Sequence, residues 1–380
     1  MTVVAMSNVK ANTIKLDKWL IGSTLTILIL GLLMLTSASM VVSERTYHTA
    51  FHFLWRQLMF LGLGIFTSIF IIRMPVKFFA KLSPILLIFT LVLLILVLIP
   101  GLGRDVNGSS RWLGIGGFGF QVSELAKLSF LLYLCGYIAR HQHSVQTTFI
   151  GFVKPLIVLG VLGILLLLEP DFGTTVVMAA MSLGVLFIAG VRIRYFFGIV
   201  LLALLGFAGL AVTSPYRLQR LTTFLDPWQH QYGSGYQLIQ SLIAFGRSGL
   251  TGVGLGNSIQ KLFYLPEAHT DFLFAVLAEE MGLLGILAVI VLFIILVYRA
   301  IRIGKKSLDK QQFFNGYLAI GLGLWIGLQA MINMGVNAGL LPTKGLTLPL
   351  MSYGGSSLLI MCCAIAFLIR IDFEEKANIT

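Results

Sequence analysis

Long apolar runs separated by short polar stretches recur along the chain from residue 19 to residue 370. Ten of them have the length of a membrane span: roughly 19–41, 52–72, 83–100, 121–139, 153–168, 174–190, 195–213, 271–298, 313–335 and 350–370. A helix needs about 20 apolar residues to cross the hydrocarbon, and helix is the form that satisfies its own backbone there. The pattern therefore predicts an all-α polytopic membrane protein with about ten transmembrane helices. One membrane domain covers 19–370, with cytoplasmic tails at 1–18 and 371–380. The fifth and sixth runs are short, and the turn Glu169-Pro170-Asp171-Phe172-Gly173 separates them. Between the seventh and eighth lies a long outer loop, 214–270, with apolar patches at Leu238–Phe245 and Ile259–Leu265. Loops of that length without structure are uncommon, so short helices at or dipping into the interface are expected. Ser37-Ala38-Ser39 has the look of a signal cleavage site, but the run before it is too long for a signal. No internal repeat or low-complexity segment stands out.

Composition agrees with the pattern. Of 380 residues, 57% are hydrophobic and only 11% charged, against about 25% charged in a soluble domain. The net charge of +12 would by itself admit a nucleic-acid partner. The basic residues, however, are spread over short loops between apolar runs, which fits membrane orientation and no nucleic acid. With the N-terminus in the cytoplasm, Arg73, Lys77, Lys81, Arg140, Arg192, Arg194 and the dense run Arg299 to Lys310 all fall on the cytoplasmic side. An even helix count returns the C-terminus to that side. Cys135, Cys362 and Cys363 sit inside apolar runs with no metal spacing and read as small hydrophobes. No Walker glycine motif, HExxH, haem or iron–sulfur spacing is present, and Gly252-Val253-Gly254-Leu255-Gly256 follows no βαβ pattern.

The acidic residues cluster at the outer side: Asp105, Glu124, Glu169, Asp171, Asp226, Glu267, Asp271, Glu279 and Glu280. Ionisable groups at membrane depth are expensive, so each is a functional candidate. Glu124 and Lys127 stand three apart and share a helix face; they either lock a helix or line a polar cavity. Asp271 falls where the outer loop enters a very apolar helix. It is either an N-cap or a partly desolvated general base. Helical spacing lets Glu279 line the same cavity and turns Glu280 toward another helix. The outer cations Arg104, Arg111, Arg217, Arg220, Arg247, Lys261 and Lys344 run against the orientation bias. They suit either lipid headgroups or a polyanionic phosphate. Gly339 to Pro349, running into Ser352-Tyr353-Gly354-Gly355-Ser356-Ser357, breaks the helix with two prolines. Irregular backbone at membrane depth lines a cavity.

These residues carry a resemblance. Ser110-Arg111-Trp112 with Gln121-Val122-Ser123-Glu124-Leu125-Ala126-Lys127, then Glu169-Pro170-Asp171-Phe172-Gly173-Thr174, resemble the SEDS family (shape, elongation, division and sporulation). So do Arg217-Leu218-Gln219-Arg220 with Asp226-Pro227, and Gly235-Tyr236-Gln237. The run Gly254-Leu255-Gly256-Asn257-Ser258 through Leu265-Pro266-Glu267-Ala268-His269-Thr270-Asp271-Phe272 is similar to the FtsW, or cell-division, branch rather than the RodA branch. Gly345-Leu346-Thr347-Leu348-Pro349 to Ser356 also fits, and the match spans about 15–372. Val122 departs from the family's usual proline.

The resemblance implies a peptidoglycan glycosyltransferase that polymerises lipid II at the periplasmic face of the bacterial inner membrane. It implies work at the division septum with a class B penicillin-binding protein and other divisome proteins, both termini being cytoplasmic. Asp271 maps onto the family's proposed catalytic aspartate, and Glu124 and Lys127 onto its cavity pair. The expected reaction is an inverting transfer. The GlcNAc 4-hydroxyl of one lipid II attacks MurNAc C1 of a lipid-linked glycan, Asp271 takes the proton, and undecaprenyl pyrophosphate leaves. Arg111, Arg217, Arg220 and Lys261, in that order, are expected to meet the leaving charge, helped by a divalent cation such as magnesium or manganese whose ligands the sequence does not name. Ser352 is expected among the substrate-binding residues. A lipid II flippase and a non-catalytic divisome scaffold are the alternatives. Concentration of polar residues in the outer half favours the enzyme, because a flippase needs a path across the whole bilayer.

Overall fold

The computed structural model describes residues 16–106, 109–115, 118–212, 219, 222–343 and 345–378. Its long helices are α1 (Lys18–Tyr47), α2 (His52–Arg73), α3 (Val76–Leu98), α4 (Val122–Arg140), α6 (Phe149–Leu168), α7 (Phe172–Ile188), α8 (Ile193–Val212), α10 (Leu273–Asp309), α11 (Phe313–Asn337) and α12 (Gly355–Ala377). Two short helices, α5 (Gln142–Thr147) and α9 (Tyr236–Arg247), complete the set used below. Among the described residues eight helices are long and apolar enough to cross a membrane, and α7 and α8 carry shorter apolar stretches. These ten coincide one for one with the apolar runs. The protein is a multi-span membrane protein. The most enclosed of its long helices are α4, α11 and α12, which carry the fully buried Trp325, Lys127, Phe130 and Phe367.

The ends of the helices segregate by chemistry. At one end Asp17 caps α1 through Trp19 N and Leu20 N and pairs with Arg299 of α10. Lys310 pairs with Glu375 at 2.8 Å there. This is the basic end. The other end carries the described parts of the connections after α3, α6, α8 and α11, and it holds the candidate site.

Four departures from the sequence reading have physical causes. First, the chain is not wholly α, because the segment after α3 is a sheet. It forms a three-stranded antiparallel sheet, β1 (Gly103–Val106), β2 (Ser109–Ile115) and β3 (Phe118–Gln121), with Trp112 opposite Gln121 and Leu113 opposite Phe120. Strands of four, seven and four residues rich in glycine leave little period-two signal. The sheet is pinned where Gln121 N donates to Ser356 Oγ at 2.9 Å. Second, 371–377 is not a tail but the last turns of α12. Glu374 is buried there because α3 starts on Pro75, which offers no capping side chain; Glu374 Oε1 accepts from Val76 N at 2.9 Å instead. Arg370 Nε and Asn315 Nδ2 hold the same carboxylate at 2.8 and 3.1 Å. Third, α10 runs on to Asp309, so the basic run Arg299 to Lys310 is mostly helix. Fourth, the last span starts at Gly355 rather than residue 350.

The long outer segment does contain short structure, as its apolar patches predict. Helix α9 turns Leu238, Ile239, Ser241 and Ala244 inward, and a single π turn covers Gln260–Tyr264. Between them the chain wraps the start of α10. Gly282 breaks α10 at φ 67°, ψ −163°, and a Cβ there would lie 2.3 Å from Gly252 N. The break splits α10 into an enclosed first stretch, 273–281, and a long second one. It opens a gap in the ladder that the loop fills: Val253 N donates to Glu279 O and Gly254 N to Glu280 O, at 2.9 and 3.1 Å.

Candidate active site

Asp271 lies at the N-terminal end of α10, half-buried, one residue before the N-cap. The N-cap is Phe272, which makes no side-chain cap bond, so Asp271 does not itself occupy the cap position. Its main-chain carbonyl accepts from Asn333 Nδ2 and Asn337 Nδ2, both at 2.9 Å. Its carboxylate stands over Gly345, where a Cβ would come within 3.1 Å of Oδ2. Gly345 belongs to the irregular stretch between α11 and α12, which therefore packs against this carboxylate. Gly345→Ala should crowd Oδ2 by a few tenths of an ångström and lower turnover about tenfold with little change in folding, as a small misplacement at a reacting group does. Polymerisation rates beside thermal unfolding would check it.

Glu124 and Lys127, in the first turns of α4, form a buried ion pair at 2.9 Å. Lys127 is 0% exposed and Glu124 4%. Lys127 Nζ also donates to Gln329 Oε1 at 2.9 Å and lies 5.2 Å from the Trp325 ring centre. Gln329 Oε1 further accepts from Trp325 Nε1, and its Nε2 donates to Thr347 O at 3.0 Å. Asn333 Nδ2 reaches Leu346 O at 2.6 Å. A ladder of amides on one face of α11, Gln329, Asn333 and Asn337, therefore runs from the Glu124–Lys127 pair past the backbone of 346–347 to Asp271. The sequence reading passed over these three. The signal was there: three amides four residues apart in an apolar span, each expensive in hydrocarbon unless bonded.

Lys261, expected to meet phosphate, is committed elsewhere. Its Nζ donates to Glu280 Oε1 at 2.7 Å, Gly256 O at 2.7 Å and Ser37 Oγ at 2.8 Å, which occupies all three of its donors. Glu280 turns toward α1, as its helical position suggested, and accepts from Ser37 Oγ at 2.7 Å. Glu279 does not line the site. Its oxygens accept from Ser258 Oγ, Ile259 N and Gln260 N at 2.5, 3.2 and 3.2 Å. Together these groups form a buried knot that holds the outer loop to α10 at its break.

The comparisons with known proteins bear on the same frame. The cell cycle protein family FtsW/RodA/SpoVE matches residues 18–377. A probable peptidoglycan glycosyltransferase FtsW of Legionella pneumophila is 56% identical over 360 residues, covering 95% of this chain and 91% of the relative. The protein of the same name from Coxiella burnetii is 54% identical over 95% of this chain and 97% of its own. The chain belongs to this family. Two solved structures share its fold. One, from work on the structural coordination of polymerization and crosslinking by a peptidoglycan synthase complex, has a TM-score of 0.77 at 30% identity, covering 95% of this chain and 98% of that one. The rod shape determining protein RodA of Thermus thermophilus has a TM-score of 0.70 at 27% identity, covering 96% and 99%.

In this FtsW-family chain the remaining candidates separate. Arg111, on β2, donates from Nε to Glu169 O at 3.0 Å and from an Nη to Pro170 O at 2.6 Å, so it clamps the turn between α6 and α7. Ser352 is buried, and its Oγ accepts from Leu348 N at 2.9 Å. That bond makes Ser352 a brace for the 348–352 turn rather than an open substrate ligand. Arg217, Arg220 and Lys344 lie outside the described residues. Among the described residues no three His, Cys, Asp or Glu side chains converge as a cation site. The steps below use the chain's own groups. An open cavity of about 350 Å³, lined by Gln219, Ser234, Tyr236, Gln237, Pro266 and Thr343, lies in the outer loop.

Glu169, in the turn that Arg111 clamps, is fully buried and neither of its oxygens has a hydrogen-bond partner. Burial first, then the neighbouring Asp171 charge, push its carboxyl up to about 8 against the opposing pull of Arg111. The folded protein therefore holds a proton on Glu169 that the unfolded chain releases above its ordinary value of 4.5. More protons bound in the folded state means stability falls as pH rises from about 5 to about 8 and then levels. Glu169→Gln should remove that fall, a gain on the order of 5 kcal/mol at pH 9 and almost none at pH 5. Thermal unfolding in detergent across that range reads it.

Proposed function

We propose that the chain is a peptidoglycan glycosyltransferase that polymerises lipid II at the outer face of the inner membrane, with Asp271 as general base. The observation that carries this reading is the seat of Asp271. A carboxylate at the mouth of a broken helix is held by its own carbonyl and left room by Gly345. A carboxylate so seated can take the proton of a hydroxyl.

The chemistry follows from the substrates. The acceptor's GlcNAc 4-hydroxyl oxygen forms a bond to MurNAc C1 of the lipid-linked glycan. The bond from C1 to the pyrophosphate oxygen breaks, and its electron pair leaves with undecaprenyl pyrophosphate. The hydroxyl proton passes to an Asp271 oxygen, and inversion at C1 turns the α-linked donor into a β-1,4 product. The buried Glu124–Lys127 pair, joined to the Asp271 side by the amides of α11, sets the field of the cavity. We assign the leaving charge to Arg111, the first of the expected cations, whose release from the Glu169 and Pro170 carbonyls would loosen the 169–170 turn. Both substrates hang from lipid tails, which is why the site belongs at the outer leaflet.

The partner we infer is a class B penicillin-binding protein, supported by the likeness to the peptidoglycan synthase complex chain. Septal location and cytoplasmic termini complete the proposal; the basic end of the bundle supports the orientation. The test supplies lipid II to the purified protein with that partner. Glycan polymer is expected. Translocation of lipid II with no polymer under any condition would replace the enzyme by a flippase, and neither activity would leave a scaffold.

A further inference from the structure

We propose that Asn337, together with Asn333, is a positioning residue for Asp271: its side-chain amide stands in for backbone in the first turn of α10 and fixes where the carboxylate is presented. This rests on the reading of Asp271 as general base and adds what aims it. In an unbroken helix the carbonyl of residue 271 would accept from the N–H of residue 275. Here Asn337 lies between them. Its Nδ2 donates to Asp271 O at 2.9 Å and its Oδ1 accepts from Ala275 N at 3.1 Å. One amide bridges two backbone groups that would otherwise bond each other, and the turn opens by the width of that amide. The Ala275 N–H also reaches Phe272 O at 3.1 Å, a tight i→i+3 bond at the helix start.

Asn333 completes the seat. Its Nδ2 bonds the Asp271 carbonyl at 2.9 Å and Leu346 O at 2.6 Å. Leu346 follows Gly345, the residue over which Oδ2 stands. A single amide thus ties the backbone behind the carboxylate to the backbone in front of it. Asn337 is itself held: Ser241 Oγ of α9 donates to its main-chain carbonyl at 2.7 Å, and its Nδ2 reaches Asn333 O at 2.8 Å. Both asparagines are enclosed, at 0% and 2% exposure. An ordinary helix start needs no such pair. Two buried amides in an apolar span are justified only by what they hold, and what they hold is the turn that bears Asp271.

The test is steady-state lipid II polymerisation by the purified protein with its penicillin-binding partner, each rate divided by the folded fraction. Asn337→Ala is expected to lose about 10- to 100-fold in kcat, the size of effect a small misplacement of a reacting group produces. Its KM should change by less than about threefold. Added to Asp271→Asn, the same substitution should cost nothing further, because there is no base left to aim. If Asn337→Ala fails to fold, Asn333→Ala removes one of the two bonds to the carbonyl and leaves the bridge; its kcat should fall about 3- to 10-fold, again at near-constant KM. Wild-type kcat per folded molecule in both variants, with Asp271→Asn inactive, would overturn the positioning role and leave the base standing. An undiminished further loss in the double variant would overturn it too. Full activity in Asp271→Asn would remove the base and this proposal with it.

Discussion

Asp271→Asn is expected to lower lipid II polymerisation by about a thousandfold, within the range a positioned general base supplies. The substitution is a stringent one because so little else should change. Asparagine has the same shape, so Gly345 still leaves it room. The two amides that grip residue 271 bond its main-chain carbonyl, which the substitution keeps. The helix loses no cap, because Phe272 occupies that position. Folding, partner binding and KM should therefore stay near wild type while kcat falls, the signature of an interaction made only in the transition state. Initial rates over a lipid II series, with thermal unfolding measured beside them, read both halves. A variant that unfolds, or one that loses KM alone, would place Asp271 in structure or in binding instead.

Glu280→Ala is expected to destabilise the fold by about 3–5 kcal/mol, the usual cost of leaving one partner of a buried ion pair alone. Lys261 would remain enclosed at 5% exposure with Ser37 Oγ and Gly256 O, and with no carboxylate. The loop from Gly249 to Tyr264 is bound to α10 across its break at Gly282, so its detachment should accompany the loss. Thermal unfolding in detergent measures the first effect, and proteolytic cleavage within 249–264 the second. Replacing both charges, with Lys261→Met and Glu280→Leu together, should recover most of the stability, because the desolvation of two ions disappears with their attraction. Were Lys261 instead a phosphate ligand, the double variant would regain stability and still be inactive; regained activity marks the pair as a lock.

Much of the architecture is written in the apolar runs, because a lipid solvent leaves few alternatives to helix. The ten runs are the ten long helices, and even the patches at Leu238–Phe245 and Ile259–Leu265 mark α9 and the π turn. What escaped the pattern depends on contacts between distant segments. The β-sheet before α4 is too short and too rich in glycine to alternate visibly. The last turns of α12 look like a charged tail until Glu374 is seen capping α3. Lys261 and Arg247 look like a reserve of outer cations, yet Lys261 pairs with Glu280 and Arg247 lies 3.5 Å from Glu279. A carboxylate two turns further along a helix was the only hint of that knot. Asp271, Glu124 and Lys127 stood out as charges in apolar surroundings. The amides that join them did not, since asparagine and glutamine in a helix carry no charge to draw the eye. Their four-residue spacing on α11 was the legible sign.

The proposed function joins lipids held in the outer leaflet at the Asp271 end of the bundle. Its most direct test uses proteoliposomes in which the protein and its penicillin-binding partner face one way and lipid II is confined to a single leaflet. Glycan polymer is predicted when lipid II shares the leaflet of Asp271 and Gly345, and none when it lies only in the leaflet beside Arg299 and Lys310. Polymer made from the leaflet at the basic end would contradict the account.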